Sequence, residues 1–221
     1  MPLQRHAVDF ETLTPGTLAE WRDIPSAIAS DCMNRTHVMA AAIKPVKPGT
    51  RLLGQARTVT GMVGDNGISH AAIALARKGE VMVIDAGGYD DVAVWGGIMT
   101  RAAMKRGIAG VVIDAAIRDA AEIRELGFPC YARANVPAGP HKGFGGIIDG
   151  PISCAGCPVK PGDLVIGDDD GIAVVPLEWA EDMLAASKEK LRQEEETLKQ
   201  IAEGKTTAEL LGIGEPEIIS E

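Results

Sequence analysis

The chain has 221 residues, 46% of them hydrophobic and 24% charged, which is enough for a full core within one compact domain. A net charge of −9 argues against a nucleic-acid or anionic-membrane partner, because either would demand a basic footprint. No run approaches the roughly 18 apolar residues of a membrane-spanning helix, and MPLQRHAVDFETL carries an acid where a signal peptide would be apolar, so a cytoplasmic protein is expected.

Taken in chain order, IPSAIASDCMNR (24–35) follows a helix start at Pro25, and RLLGQARTVTGMV (51–63) alternates as a strand does. GDNGISHAAIALARKG (64–79) is a turn and then a helix stopped by Gly79. EVMVIDAGG (80–88) is a short buried strand ending in glycines, WGGIMTRAAMKRG (95–107) a helix, and IAGVVIDAA (108–116) another buried strand. This alternation is an α/β pattern. Beyond it, PCYARANV, GPISCAGCPV, DLVIGD and GIAVVP are short strands broken by Gly and Pro, a β-rich layer. With no fixed-period repeat and no low-complexity linker, residues 1–221 are expected to form a single domain.

Cys154 and Cys157 form the only C-x-x-C, and no second pair completes a zinc site, so a buried, reduced pair is expected. DDDG (168–171) between apolar runs predicts a hairpin turn rather than a metal loop. GFGG (143–146) fits neither a dinucleotide loop nor a P-loop and is expected to be a flexible loop with room to cover a site.

From Pro176 to Gly204 the spacing predicts one long helix, about 177–203, followed by a tail, 205–221, with no assignment. Its stripe runs Leu177, Ala180, Leu184, Ser187, Leu191, Glu194, Leu198, Ile201. Glu194 either lies at the solvent edge of an imperfect heptad or faces a buried or shared site, since an unpaired buried carboxylate is costly.

Arg118–Asp119 and Glu122 end the most apolar segment of the chain. In an α/β sheet, ligands gather at the carboxyl ends of the strands, and these residues lie just past such an end. Asp119 and Glu122, three apart near a helix start, can hold a hard divalent ion, Mg²⁺ or Mn²⁺, directly or through water, while Arg118 can grip a carboxylate. Cation, anion and metal together suit a 2-oxo acid. The same triplet would also decorate an ordinary helix N-terminus.

The wider pattern resembles the RraA-like proteins, which include class II aldolases acting on 4-hydroxy-4-methyl-2-oxoglutarate and 4-carboxy-4-hydroxy-2-oxoadipate. The motifs are G-D-N-x3-H at Gly64–His70, Gly97 with Arg118–Asp119 following, Glu122, SCAG (153–156), K-P-G-D (160–163) and D-D-D-G, and the likeness spans about residues 24–204. It implies a layered β/β/α sandwich like the swivelling phosphohistidine domain, with a long C-terminal helix. It also implies a homotrimer, or a homohexamer of trimers, with shared active sites. Asp119 would ligate the metal and Arg118 would contact the pyruvyl oxygens and stabilise the enolate. Backbone amides from Gly96, Gly97, Ile98 and Met99 would receive the substrate carboxylate, and Glu194 would reach a neighbouring subunit's site. The best-known aldolases have an aspartate where this chain has Gly97, which helps hold a water on the metal; Glu122 would take over that water from the opposite side.

The resemblance thus implies a Mg²⁺-dependent lyase that releases pyruvate from a 4-hydroxy-2-oxo acid by retro-aldol cleavage and also decarboxylates oxaloacetate. The alternative is a non-catalytic regulator of the RraA type, because a fold does not fix a function. A methyltransferase reading lacks a glycine-rich cofactor loop. Asp65, Asn66 and His70 are candidates for the pocket lining, and Asp85 and Asp114 for second-layer or turn positions. His141 and Lys142 sit on a loop that could close over substrate, and Asp31 and Arg35 could form an interface ion pair.

Overall fold

The computed structural model describes residues 2–219. The N-terminal segment contributes β1 (Leu3–Arg5), α1 (Pro15–Trp21) and α2 (Ser26–Cys32), then β2 (Lys44–Pro45). The expected alternation follows: β3 (Leu52–Gly61), α3 (Gly67–Leu75), β4 (Val81–Trp95), α4 (Gly97–Arg106), β5 (Gly110–Ile117), α5 (Ala120–Leu126) and β6 (Cys130–Asn135). Short strands β7 (Gly146–Ile148), β8 (Ile152–Cys154), β9 (Cys157–Val159), β10 (Leu164–Asp168) and β11 (Gly171–Val175) come next, and α6 (Ala180–Ala202) and α7 (Thr207–Leu211) close the chain. The N-terminal strand and helix and the last helix have no counterpart in the sequence reading.

The main sheet runs β1-β7-β3-β4-β5-β6-β2, with β3 to β6 mutually parallel. Helices α3, α4 and α5 cover one face, where Val59, Ile84, Met99, Ile113, Ile117 and Ile123 are all but fully buried. On the opposite face Val83, Val112 and Tyr131 meet Cys154, Cys157, Val165 and Val174 of the β-rich layer. Trp21, Ile28 and Leu184 from α1, α2 and α6 then pack on Leu164, Ile166 and Val175. The layered α/β sandwich is as expected, with an outer cover of helices added. No helix among the described residues is long and apolar enough to cross a membrane.

Two local expectations meet a physical explanation. Asp168 and Gly171 are paired across a β10–β11 hairpin. The Asp168 carboxylate accepts from the Ser26 amide at 2.8 Å and the Ser26 hydroxyl at 2.6 Å, which satisfies the first free amide of α2. The C-x-x-C forms the β8–β9 turn, with Ala155 at φ 49° and Gly156 at φ 79°, and both thiols are buried and unlinked. Burial pushes the Cys157 thiol up to about 12 and the Cys154 thiol well above its usual range, which favours the neutral thiol at both.

Two elements differ from expectation. The β4 strand does not stop at Gly87–Gly88; it continues to Trp95 by slipping register against β5 three times between Asp85 and Trp95. The long C-terminal helix begins with a 3₁₀ turn, Leu177–Trp179, so its α-helical part starts at Ala180.

A charge network crosses the core unannounced by any motif. Arg57, 2% exposed, donates to Glu80 at 2.7 and 3.1 Å and to Asp149 at 2.7 and 2.8 Å. Arg5 of β1 donates to Asp149 at 2.7 Å, tying the N-terminal strand to the same group. Arg57→Met would leave buried Glu80 without its guanidinium and Asp149 with Arg5 alone, and is expected to cost about 3–5 kcal/mol, seen as a lower urea midpoint.

Candidate active site

Because β4 and β5 are parallel neighbours with Trp95 paired to Ile117, both chains leave the sheet at one level. The next residues are Gly96–Gly97 on one and Arg118–Asp119 on the other. From the adjacent β6, whose Asn135 is paired with Ile117, the chain continues into the 136–144 loop. The end of parallel β3 delivers Gly64–His70. Four strand ends therefore surround one cavity of about 80 Å³. Trp95, Gly96, Ile98, Met99, Arg118 and Asp119 line one side of it, and Asn66, His70, Pro140 and Lys142 complete the wall.

Asp119 is the N-cap residue of α5 at φ 58°, ψ 33°, a left-handed conformation that aspartate tolerates better than most side chains. This turns its carboxylate away from its own helix and towards α4, where Oδ2 accepts from the Gly97 amide at 3.0 Å. The Arg118 Nε lies 3.8 Å from the same oxygen, and both side chains keep 43% of their surface exposed. A Cβ on Gly96 would lie 2.6 Å from that oxygen, so only glycine permits this approach.

Glu122 reaches the same helix start from the first turn of α5. One oxygen accepts from Arg101 Nε at 2.7 Å. The other occupies the space that a side chain at residue 97 would need: an ideal Cβ on Gly97 would sit 2.2 Å from it. The glycine at 97 and the acid at 122 are thus two halves of one arrangement.

The first intrahelical bond of α4 runs from Thr100 to Gly96 at 3.0 Å. The Ile98 and Met99 amides therefore have no partner within the helix and point, with the positive end of its dipole, at the cavity. Of the four amides expected to receive a carboxylate, Gly97 is already engaged by Asp119, which leaves Gly96 beside Ile98 and Met99 for an anion. Trp95, 1% exposed, forms the floor and donates through its indole to Thr100 at 2.9 Å.

The other candidates divide sharply. Asp65, 2% exposed, accepts from Gly67 and Gly143 at 2.8 Å and Phe144 at 3.2 Å, so it ties the G-D-N turn to the GFGG loop, which is stitched rather than loose. His70 lines the cavity; desolvation and then the Lys142 ammonium hold its imidazole below the usual range, leaving it neutral at pH 7. Asp114 is buried and salt-bridged to Arg133, and it accepts from the Ala155 amide at 2.7 Å. Asp85 accepts from Gly87 at 3.0 Å as a turn former. Asp31 and Arg35 pair within the chain at 3.6 Å, and Lys190 reaches Asp31 at 3.8 Å. The His141 side chain is exposed and absent from the cavity wall.

Glu194 is exposed on α6 and lines no part of its own chain's cavity. On the same helix Leu198 is 64% and Ile201 38% exposed, so the outer half of the apolar stripe has nothing to cover it among the described residues. Arg101, Trp95 and Pro140 carry no mark in the sequence. Arg101 had no signal to find, since its partner Glu122 lies 21 residues away on another helix.

The chemistry of the donors bears on a metal. No group of three or more His, Cys, Asp or Glu side chains among the described residues is placed to hold one. That fits a hard ion that takes one or two carboxylates, here Asp119, and fills its remaining positions with substrate oxygens and water, as Mg²⁺ does.

Residues 26–174 match the family model described as RraA-like: Aldolase/RraA. A Halalkalibacterium halodurans protein provisionally named 4-hydroxy-4-methyl-2-oxoglutarate aldolase is 38% identical, over 80% of this chain and 85% of its own. A Thermus thermophilus protein named 4-hydroxy-4-methyl-2-oxoglutarate aldolase is 31% identical, over 66% of this chain and 89% of its own. Among solved structures, Streptomyces coelicolor RraAS2, described as an unusual member of the RNase ES inhibitor RraA protein family, superposes with a TM-score of 0.77 at 26% identity, covering 85% of this chain and 98% of that one.

Proposed function

This chain belongs to the RraA-like, Aldolase/RraA family, and on that premise we propose that it is a Mg²⁺-dependent lyase releasing pyruvate from a 4-hydroxy-2-oxo acid. The observation that carries the reading is the convergence of Arg118, Asp119 and Glu122 on the N-terminus of α4, with the Glu122 carboxylate filling the space left by Gly97. Relatives named as aldolases support the reaction type. Bound at Asp119, Mg²⁺ would supply Lewis-acid polarisation of the 2-oxo group.

The chain's own groups account for the remaining steps. The Ile98 and Met99 amides receive the C1 carboxylate at the positive end of α4. Glu122, its near oxygen held by Arg101, uses the other to hold a water that takes the proton from the 4-hydroxyl. As that proton leaves, C4–O becomes a carbonyl and the C3–C4 bond breaks. Its electron pair moves into C2–C3, giving the enolate of pyruvate, and Arg118 stabilises the negative oxygen. Protonation at C3 completes pyruvate. Loss of CO₂ from oxaloacetate leaves the same enolate, so the same residues serve that decarboxylation.

The decisive test is pyruvate release coupled to lactate dehydrogenase, with 4-hydroxy-4-methyl-2-oxoglutarate and oxaloacetate offered separately. Turnover with Mg²⁺ that EDTA abolishes is the expected result. If neither substrate releases pyruvate above the metal-only background, the lyase reading fails and the regulator reading takes its place.

The exposed stripe on α6 supports a homotrimer or a hexamer of trimers in which Glu194 enters a neighbour's site. Mixing Asp119→Ala and Glu194→Ala subunits, each inactive alone, should then restore a measurable fraction of wild-type turnover, because some sites would receive both intact residues. No recovery on mixing would mean that the sites are not shared.

A further inference from the structure

At the opposite edge of the sheet lies a cavity that the proposed reaction does not touch. The parallel strands β3, β4 and β5 begin where it opens, with Leu52, Gly79 and Ala109 in its lining, while their far ends carry the site described above. Its volume is about 350 Å³, within the range of small-molecule sites. Leu18 and Trp21 of α1, Leu53 of β3 and Ile166 of β10 make most of the wall apolar. The charged residues that line it are Arg22 and Arg51, both exposed, so a chain of net charge −9 presents only cations here.

Neither arginine is engaged by an acid. Arg51 Nη2 donates to the Ile24 carbonyl at 2.9 Å, and among the described residues no carboxylate forms an ion pair with Arg51 or Arg22. The second observation is Trp21, whose side chain is fully buried. An indole nitrogen is a donor only, and this one has no acceptor among the protein's own groups, whereas that of Trp95 donates to Thr100. A buried donor left this way costs stability unless a bound molecule supplies the acceptor.

We infer that this cavity binds an apolar carboxylic acid with an oxygen acceptor in its body. The carboxylate meets Arg22 and Arg51 at the mouth, the hydrocarbon lies against Leu18, Leu52 and Ile166, and the inner oxygen accepts from the Trp21 indole. An apolar chamber with a few polar groups that fix orientation is the general build of a small-molecule site. Guanidinium suits the mouth better than ammonium because it grips both carboxylate oxygens. The site is independent of the lyase reading and lies at the other end of the strands from Asp119.

4-Oxo-4-phenylbutanoate is the probe, since it has no 2-oxo acid end for the metal site. Calorimetric titration of the full-length protein in EDTA should give a Kd of about 1 mM or tighter, unchanged in Asp119→Ala. Two relatives isolate the two polar contacts: butyrophenone lacks the carboxylate, and 4-phenylbutanoate lacks the ketone. Butyrophenone should bind about tenfold more weakly and 4-phenylbutanoate about threefold. Arg22→Gln combined with Arg51→Gln should remove the preference over butyrophenone, and Trp21→Phe the preference over 4-phenylbutanoate. In isotope-labelled protein the Trp21 indole N–H resonance, assigned by its loss in Trp21→Phe, should move on binding. Should that variant not fold, the arginine pair decides alone. No saturation at millimolar probe, loss of binding in Asp119→Ala, an acid preference that survives the arginine changes, or an unmoved Trp21 resonance would each overturn the site.

Discussion

Replacing Asp119 by asparagine is expected to lower EDTA-sensitive pyruvate release by about 10³-fold or more, with the melting temperature little changed. Asparagine tolerates the left-handed backbone at φ 58°, and its side-chain oxygen can still accept the Gly97 amide that Asp119 holds at 3.0 Å. The shape of the site therefore survives and only the negative charge is lost. Among the described residues no cluster of further carboxylates is placed to share the ion, so metal affinity should fall along with turnover. Mg²⁺ titration of both proteins would show this: a variant that keeps a tenth of the activity, or the wild-type metal affinity, would remove Asp119 from its assigned role. Asparagine is more informative than alanine here, because alanine would also release Gly97 and place a β-carbon in strained backbone without the local hydrogen bonding that an Asx side chain supplies.

Much of this site was legible because its signals are local or periodic. The run from Ile108 to Ile117 is apolar because β5 is buried on both faces between parallel neighbours. A charged Arg–Asp pair at its end can only stand at the sheet's carboxyl edge. The hairpin at Asp168–Gly171 was legible for the same reason: the turn chemistry sits in four residues. What was not legible depends on contacts between distant segments. Arg57 sits in a strand as one polar residue among several, and only the folded chain brings Glu80 and Asp149 to it. Gly87–Gly88 reads as a strand end in the sequence, and the structure places both at positive φ, 77° and 69°; the register slips that carry β4 onward are a property of its pairing with β5. Lys142 has the look of a loop residue in the sequence, because Asp65, which accepts the amides beside it, belongs to a turn far earlier in the chain. Glu194 shows the opposite case. The heptad stripe marked it as anomalous, yet within one chain it is simply exposed, and only an assembly could give that anomaly a partner.

Gly97→Asp should reduce turnover by about 10²-fold, and adding Glu122→Ala should restore most of the loss. Gly97 is the first residue of α4, without a positive φ, so aspartate meets no backbone obstacle there and should even favour the helix dipole. The obstacle is the Glu122 carboxylate, 2.2 Å from where the new β-carbon must go. One of the two must move. If Glu122 rotates away it leaves Arg101 and the water it is proposed to hold, and a displacement near 1 Å in such a group is worth about 10² in rate. Removing Glu122 as well clears the clash and leaves a single acid on the 97 side, the arrangement of the aldolases that carry aspartate there. Arg101, 63% exposed, would lose its partner to solvent at little cost. Recovery in the double variant would mean that the two positions offer alternative mounts for one catalytic carboxylate, so that glycine at 97 is no sign of a lost activity. If the double variant were weaker than either single one, Glu122 would have a task that aspartate at 97 cannot perform, and the proton path would have to be assigned to Glu122 specifically.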